Sequence, residues 1–504
     1  MHVLRKKTIE QSVAESKESG HSLKRTLHTR DLAVMGVAVA VGAGIFSVGA
    51  QTVAYHAGPA AIISFLIAAL VCGAAALCYA ELASVAPVAG SAYTFTYSTM
   101  GEMVAWVIGW DMILEMLMAG SVISKYWSVY LGDFVRQMGL ATFTTTVQIG
   151  SLSVDFAPIA IVAFFTVLLV MGTQISSRVN NVLTAIKVSV VLFVVVVGFF
   201  YVKSSNFTPF IPPSEPAASA AANPGESGAM FQPLFQFITG QQPSMYGVYG
   251  ILSGAALVFF AFIGFDIVAT ASEEAVNPAK TVPRGIGLGV LIVCVLYILV
   301  SIVTTGMVSY KALAATGNPT LSTAFQLVGA GWAAKIISFG ILIGLTTVVM
   351  VLLLGLTRTV FAMSRDGLLP RSLSKTSQRG TPARLQIGGS IVVAIMASTF
   401  DVTILSDMVN IGTLSAFMLV SISIPVLRHS RPDLERSFKV PGSPVIPILT
   451  AVACLWLMLN LTILTWVRFL VWLVAGFVIY FLYSYRHSML SRRDGDGLMP
   501  NLEE

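Results

Sequence analysis

Two glycine-containing interruptions within strongly apolar segments are the first feature of this sequence that could bind a ligand. One reads VGAGIF at residues 41–46 and the other FIGFD at residues 262–266. Glycine destabilises a helix, so each interruption could unwind and free backbone N–H and C=O groups for a small polar molecule. The alternative is that these glycines only form small-residue contact faces between packed membrane helices.

A single lysine lies deep within another apolar segment. Lys187 occurs in AIKVS at residues 185–189, roughly 13 Å along a helix from Arg178 at the start of that segment. A buried ammonium group is costly and burial favours its neutral form, so Lys187 could gain and lose a proton during a functional cycle. The alternative is a lysine whose flexible side chain extends to the membrane surface.

Three acidic residues also fall within apolar segments. Asp111 and Glu115 are four residues apart and therefore share one face of a helix. Glu115 could favour a cationic ligand or take part in proton movement, or it could be a structural acid between helices. Asp266 follows the second interruption and could cap the helix beyond it. The apolar segments contain no Gly-x-Ser-x-Gly motif and no metal-binding cluster, which disfavours an enzyme.

These residues lie in a chain whose composition indicates an integral membrane protein. Hydrophobic residues make up 56% of the 504 positions and charged residues 11%, with a mean hydropathy of +0.82. Soluble proteins carry about 25% charged residues. The apolar runs are roughly 20 residues long, enough to cross a hydrocarbon core of about 30 Å. They predict helices 1 to 12, in chain order, at residues 31–54, 60–85, 103–126, 157–174, 179–202, 251–272, 284–308, 332–360, 385–400, 404–427, 445–464 and 466–485.

The positive charges indicate how these helices are oriented. Lys and Arg are concentrated in the two terminal tails and in the loops that would lie on the same side of the membrane, as they are on the cytoplasmic side of membrane proteins. We therefore expect a multi-pass protein of the plasma membrane with both termini in the cytoplasm. The formal charge of +6 reflects this topology and indicates no nucleic-acid partner. The four cysteines show neither metal nor disulfide spacing, and no cofactor is expected.

The predicted helices divide the chain into six regions, with the longest connection between helices 5 and 6. That connection is rich in Pro, Ala, Ser and Gly, which is typical of a linker. The regions are a disordered cytoplasmic tail at 1–30, a first five-helix repeat at 31–202, an extracellular loop at 203–250, a second five-helix repeat at 251–427, a cytoplasmic loop with helices 11 and 12 at 428–485, and a cytoplasmic tail at 486–504.

Several motifs, taken together, resemble one family. In chain order they are GAGIF (42–46), YAE (79–81), AGSAY (89–93), GWDMILE (109–115), FFAFIGFD (259–266), EEAVNP (273–278), MSRDGLLP (363–370), RPDL (431–434) and FKVPG (438–442). Their order and spacing resemble the amino acid–polyamine–organocation (APC) superfamily, and within it the bacterial members of the cationic amino acid transporter (CAT) family. The resemblance extends over roughly residues 27–485. It implies an all-α membrane protein of about twelve helices, with a 5+5 inverted repeat in which helices 1 and 6 are broken.

The resemblance also implies which groups bind the substrate and the proton. The substrate carboxylate would meet backbone N–H groups, the ammonium group would meet backbone carbonyls, and Glu115 would favour a cationic side chain. The lysine would take the place of the sodium ion of sodium-coupled relatives, against carbonyls of helix 1 and hydroxyls of helix 8. These groups are the N–H groups of Gly42, Ala43, Gly44 and Ile45, the carbonyls of Phe260, Ala261 and Ile263, and the side chains of Lys187, Thr346 and Thr347.

The sequence therefore predicts a secondary active permease that moves L-amino acids by alternating access with proton coupling. The resemblance favours cationic substrates such as arginine and lysine. A neutral amino acid or polyamine permease or exchanger, and a receptor that does not transport, stay open as alternatives. The expected partners are the amino acid, protons and the lipid bilayer, and a monomer is compatible with the sequence. Sodium coupling is disfavoured because an ammonium group at the ion site would repel sodium.

Overall fold

The structure is a computed structural model, and the residues that it describes cover most of the chain. They are 27–42, 44–85, 91–140, 143–150, 152–172, 177–216, 229–242, 244–265, 268, 275–317, 319–375, 377 and 381–489. Ala43, Asp266 and most of both predicted terminal tails (residues 1–26 and 490–504) lie outside the described residues, as does part of the predicted loop at 203–250.

Apolar helices make up nearly all of the described chain and follow the predicted spans. Seven stretches of the described residues are long and apolar enough to cross a membrane, and four shorter apolar helices accompany them. The first of the seven, Gly44–Val85, turns at Gly58–Ala60. It therefore contains the second part of helix 1 and the whole of helix 2. The helices are Thr29–Ala40 with Gly44–Ala57 (helix 1), Ala61–Val85 (2), Glu102–Gln137 (3), Phe156–Val170 (4), Ser177–Phe199 (5), Gly247–Phe262 (6), Pro278–Met307 (7), Gly331–Arg365 (8), Ala383–Thr399 (9), Val402–Ser430 (10), Val445–Leu459 (11) and Ile463–His487 (12).

Helices 3 and 8 are much longer than their predicted spans. Helix 3 contains 36 residues and helix 8 contains 35, so each is about 53 Å long at 1.5 Å per residue. That length exceeds a hydrocarbon core of about 30 Å, so both helices must tilt or project beyond it. The two long helices pack against each other, and helix 3 also packs against helix 10.

Short elements connect the helices, and hydropathy did not predict them. A helix at Ser91–Thr99 precedes helix 3, and helices at Tyr310–Ala314 and Leu321–Leu327 join helices 7 and 8. Thr146–Ile149 and Leu152–Asp155 form an antiparallel hairpin before helix 4. Within the loop between helices 5 and 6, the described residues include a 3₁₀ turn at Ala229–Phe231, a short helix at Leu234–Ile238 and a strand pair, Glu215–Pro216 with Ser244–Met245.

Helix 1 is broken at its first predicted interruption. Its first part ends at Ala40, Val41 leaves the helical region with a ψ of 85°, and the chain resumes as a π-helix at Gly44–Val48. A π-helical turn is rare and frequently marks a functional site. The α-helical ladder of the first part therefore ends at Val41, whose N–H still bonds Val37 O, and it does not include the N–H of Gly42.

Helix 6 is broken at the second interruption. Its α-helix ends at Val258, a 3₁₀ turn follows at Phe259–Phe262, and Ile263 is extended. Gly264 has a φ of 127°, a conformation that a side chain would strain. Beyond it, the structure describes Phe265 and Val268 but not the residues between them. Both predicted interruptions are thus true breaks in the described chain.

The two breaks pack directly against each other because Gly44 has no side chain. A Cβ atom on Gly44 would overlap the Cα, Cβ and N atoms of Ala261 in helix 6. On the other side, a Cβ on Gly264 would overlap the side chain of Val39 in helix 1. The small-residue contact and the unwinding that the sequence left as alternatives therefore occur together.

We expect Gly44→Ala to destabilise the protein because the added methyl group must displace the backbone of helix 6. Overpacking of this kind costs about 1–3 kcal/mol. The measurement is the thermal unfolding midpoint of purified protein in detergent. The control is Gly73→Ala in helix 2, since a Cβ atom at Gly73 has no heavy atom within 4 Å. Equal midpoints for the two variants would contradict the close contact between the breaks.

Candidate substrate site at the two helix breaks

The break of helix 1 leaves backbone N–H groups without an acceptor inside the helix. The N–H of Gly42 donates no hydrogen bond to any described residue. Gly44 and Ile45 begin the second part of the helix, where the first N–H groups have no acceptor within the helix. The positive end of the helix dipole lies at the same place. This part of the site is therefore suited to a carboxylate or another electron-rich oxygen, while the predicted fourth donor, Ala43, lies outside the described residues.

The carbonyls at the breaks mostly accept hydrogen bonds already. Ala38 O accepts from Lys187 Nζ at 2.8 Å, and Phe260 O accepts a long bond from the Ile263 N–H at 3.4 Å. Ala261 O lies 2.9 Å from the hydroxyl of Tyr297. The carbonyl of Ile263 accepts no hydrogen bond from a described residue. Of the three carbonyls predicted for the ammonium group, Ile263 is thus the most available in this structure.

Tyr297 of helix 7 links the two breaks, and the sequence did not single it out. Its hydroxyl lies 2.5 Å from Ala40 O, the last residue of the first part of helix 1, and 2.9 Å from Ala261 O. The ring is fully buried against Phe65 and Phe262. A phenol carries one proton, so this hydroxyl is a shared donor for two carbonyls at the breaks.

Lys187 is buried where helices 1, 5 and 8 meet. Its side chain is 2% exposed, its ammonium group donates to Ala38 O, and its aliphatic part lies on Gly344 of helix 8. None of the ion pairs among the described residues involves it. The lysine therefore points into the bundle toward helix 1 and does not extend to the membrane surface.

The two threonines predicted beside Lys187 bond elsewhere. The hydroxyl of Thr346 donates to Leu342 O at 2.7 Å and accepts from Trp127 Nε1 at 3.0 Å. The hydroxyl of Thr347 donates to Gly344 O at 3.0 Å. No hydrogen bond joins either hydroxyl to Lys187 in the described chain. Because Gly344 of helix 8 has no side chain, the aliphatic part of Lys187 packs against its backbone and helix 5 approaches helix 8 closely.

The acidic pair of helix 3 lies against helix 10. Asp111 is buried and one of its carboxyl oxygens accepts from Ser415 at 2.6 Å, while its other oxygen has no partner among the described residues. Glu115 is also buried, with its backbone beside Gly412. Ile123, not Glu115, is the helix 3 residue near Gly42, and it lies about 12 Å further along the helix.

Two further acidic residues at helix ends, Glu81 and Asp366, are also buried. Glu81 of helix 2 is 0% exposed and accepts from Arg428 at 2.8 and 2.6 Å and from the Val440 N–H at 2.6 Å. Asp366 after helix 8 accepts from Tyr93 at 2.8 Å. These bonds fix helix 2 to the segment that follows helix 10, and they fix the end of helix 8 to Ser91–Thr99.

Comparison with known proteins identifies the class to which this fold and site belong. The chain matches the family model described as amino acid permease over residues 27–487. It is 44% identical to the branched-chain amino acid permease BcaP of Bacillus subtilis (strain 168), over 97% of this chain and 99% of that protein. It is 39% identical to the methylthioribose transporter of the same strain, over 97% and 99%. It is also 36% identical to the vacuolar cationic amino acid transporter 2 of Arabidopsis thaliana, over 86% and 64%.

The chain therefore belongs to the amino acid permease family of the APC superfamily. Family membership confirms the predicted all-α APC fold with broken helices 1 and 6, and it confirms a membrane permease as opposed to an enzyme. The relatives differ in the substrate that their names give, so the family does not decide which substrate this chain carries.

We expect Tyr297→Phe to lower both stability and transport. Without the hydroxyl, the carbonyls of Ala40 and Ala261 lose their shared donor, at roughly 1–3 kcal/mol for each buried group left unsatisfied. The unfolding midpoint in detergent and the initial rate of substrate uptake measure the two effects. The control is Tyr126→Phe, because Tyr126 is buried but its hydroxyl bonds no backbone carbonyl of a described residue and donates to the side chain of Gln51 at 3.3 Å. A Tyr297→Phe protein with wild-type stability and uptake would contradict the bridging role.

Proposed function

We propose that this protein is a proton-coupled secondary active permease that carries L-amino acids with aliphatic side chains across the plasma membrane by alternating access. One observation carries the proposal: two broken helices meet at Gly44 and Ala261 and present N–H groups of helix 1 beside carbonyls of helix 6. Such a pair matches the carboxylate and ammonium groups that all amino acids share. The proposed orientation has both termini in the cytoplasm, and the proposed repeats are residues 31–202 and 251–427.

Lys187 is the proposed proton carrier. A protonated lysine gives Ala38 a charge-assisted hydrogen bond, which is roughly twice as strong as a neutral one. The bond joins helix 5 to the carbonyl end of the first part of helix 1, where the helix dipole also favours a cation. Loss of the proton weakens this link, so the proton state of Lys187 biases the position of the first part of helix 1. Thr346 and Thr347 take no direct part in this step, because their hydroxyls bond elsewhere.

The residues near the break favour an aliphatic side chain over a cationic one. A Cβ atom on Gly42 would have Ile123 of helix 3 and Val348 of helix 8 as its nearest side chains, both at 3.8 Å. A hydrophobic wall binds methyl groups and gives a charged side chain no partner. The name of the 44% identical relative, a branched-chain amino acid permease, supports the same choice. The sequence-based preference for cationic substrates stays a prediction, which depends on the family resemblance and on Glu115 of helix 3.

Uptake into proteoliposomes would test both parts of this proposal. We expect wild-type protein to take up leucine, isoleucine and valine in preference to arginine and lysine, and an inward proton gradient to raise the rate. Lys187→Met keeps the aliphatic part of the side chain but carries no proton, so uptake should lose most of its response to the gradient. The control is Lys335→Met, since Lys335 is exposed on helix 8.

Each part of the proposal can fail separately. Preferred uptake of arginine would reverse the choice of side chain and assign a role to the acids of helix 3. Uptake of methylthioribose without uptake of any amino acid would replace the substrate class. A Lys187→Met protein that still responds to the gradient like wild type would exclude the lysine as proton carrier.

A further inference from the structure

Asn410 of helix 10 presents a buried acceptor beside the break of helix 6. The residue is 0% exposed, and its amide Nδ2 donates to Leu257 O at 3.3 Å. Leu257 belongs to the last turn of the α-helix before the 3₁₀ segment at Phe259–Phe262. Carbonyls in a helix point toward its C-terminal end, so this bond lies at the edge of the break.

The Leu257 bond fixes the orientation of the Asn410 amide. A backbone carbonyl can only accept a hydrogen bond, so the amide nitrogen must face Leu257 and the amide oxygen must face away. That oxygen is buried and has no hydrogen-bond partner within the described chain. A desolvated amide oxygen without a donor is costly, which indicates that a donor reaches it in some state of the transport cycle.

The face of helix 10 that carries Asn410 packs along the break of helix 6. Phe417 lies seven residues after Asn410, two helical turns further on the same face. Its ring contacts Phe259 before the break and Phe265 after it, at centroid distances of 5.7 and 4.9 Å. Helix 10 therefore runs alongside helix 6 across the break. Asn410 lies next to the α-helical part of helix 6 that precedes the break.

From this geometry we infer that Asn410 Oδ1 accepts a hydrogen bond from the ammonium group of the bound amino acid. An aliphatic amino acid has no other donor, and its carboxylate is matched to the N–H groups of helix 1. The open carbonyl of Ile263 would supply a second acceptor. This inference rests on the amino acid substrate proposed above and names a side chain that the sequence did not single out.

The test compares two substitutions that separate the acceptor from the donor of this amide. Asn410→Leu removes both, whereas Asn410→Asp keeps an acceptor oxygen and removes the amide donor to Leu257. We expect the KM for leucine to rise at least about tenfold in Asn410→Leu, the effect of losing a hydrogen bond to a charged group. The KM of Asn410→Asp should stay within about threefold of wild type. The unfolding midpoint should fall by a similar amount in both variants, because each lacks the donor to Leu257 O, so only the KM separates the contact with the ammonium group from the structural bond.

The matched control is Asn460→Leu at the end of helix 11. Asn460 is also buried and its Nδ2 also donates to a helix carbonyl, that of Trp456 at 2.8 Å, so its loss should leave the KM unchanged. A wild-type KM in Asn410→Leu would overturn the inference, and so would equal impairment of Asn410→Leu and Asn410→Asp. Absence of amino acid uptake by wild-type protein would instead overturn the proposed function, and this inference with it.

Discussion

The constraint that organises this structure is that a helix broken inside a membrane must satisfy its freed backbone groups without water. Three helices each supply a donor to carbonyls at the breaks: helix 5 through Lys187, helix 7 through Tyr297 and helix 10 through Asn410. The freed N–H groups differ from the carbonyls, because the Gly42 N–H has no acceptor among the described residues. The protein thus satisfies most of the freed carbonyls itself and leaves donors open, which prepares the site for an anionic group.

The same hydrogen bonds connect the breaks to the rest of the bundle. Ala38 and Ala40 belong to the first part of helix 1, and their carbonyls are held by side chains of helices 5 and 7. The first part of helix 1 cannot move relative to helix 5 without breaking the bond to Lys187. It can move together with helices 6 and 7 without breaking the bonds to Tyr297. Tyr297 therefore joins helices 1, 6 and 7, while separate bonds join helix 1 to helix 5 through Lys187 and helix 6 to helix 10 through Asn410.

The sequence alone predicted the membrane spans, the two breaks and the deep position of Lys187. It did not predict which side chains bond the backbone groups at the breaks. Apolar runs and interrupting glycines have a direct physical cost, so they identify membrane helices and their weak points. A charged lysine in such a run is equally conspicuous. Tyr297 and Asn410 are uncharged residues of a kind that many membrane helices contain, and only the geometry shows that they meet freed carbonyls. The hydrogen bond between Thr346 and Trp127 was not predicted either, since the two residues are distant in sequence.

The proposed substrate site is made largely of backbone groups, which is compatible with a family whose members are named for different substrates. The names of the three relatives compared give a branched-chain amino acid, methylthioribose and cationic amino acids. Backbone N–H groups recognise an oxygen whatever molecule carries it, so they do not distinguish these substrates. Discrimination must come from the few side chains that face the break, among them Ile123 and Val348 beside Gly42. Because the contact of Gly44 with Ala261 depends on missing side-chain atoms, we expect substitutions that change the substrate to fall on helices 3, 8 and 10 and to leave the breaks intact.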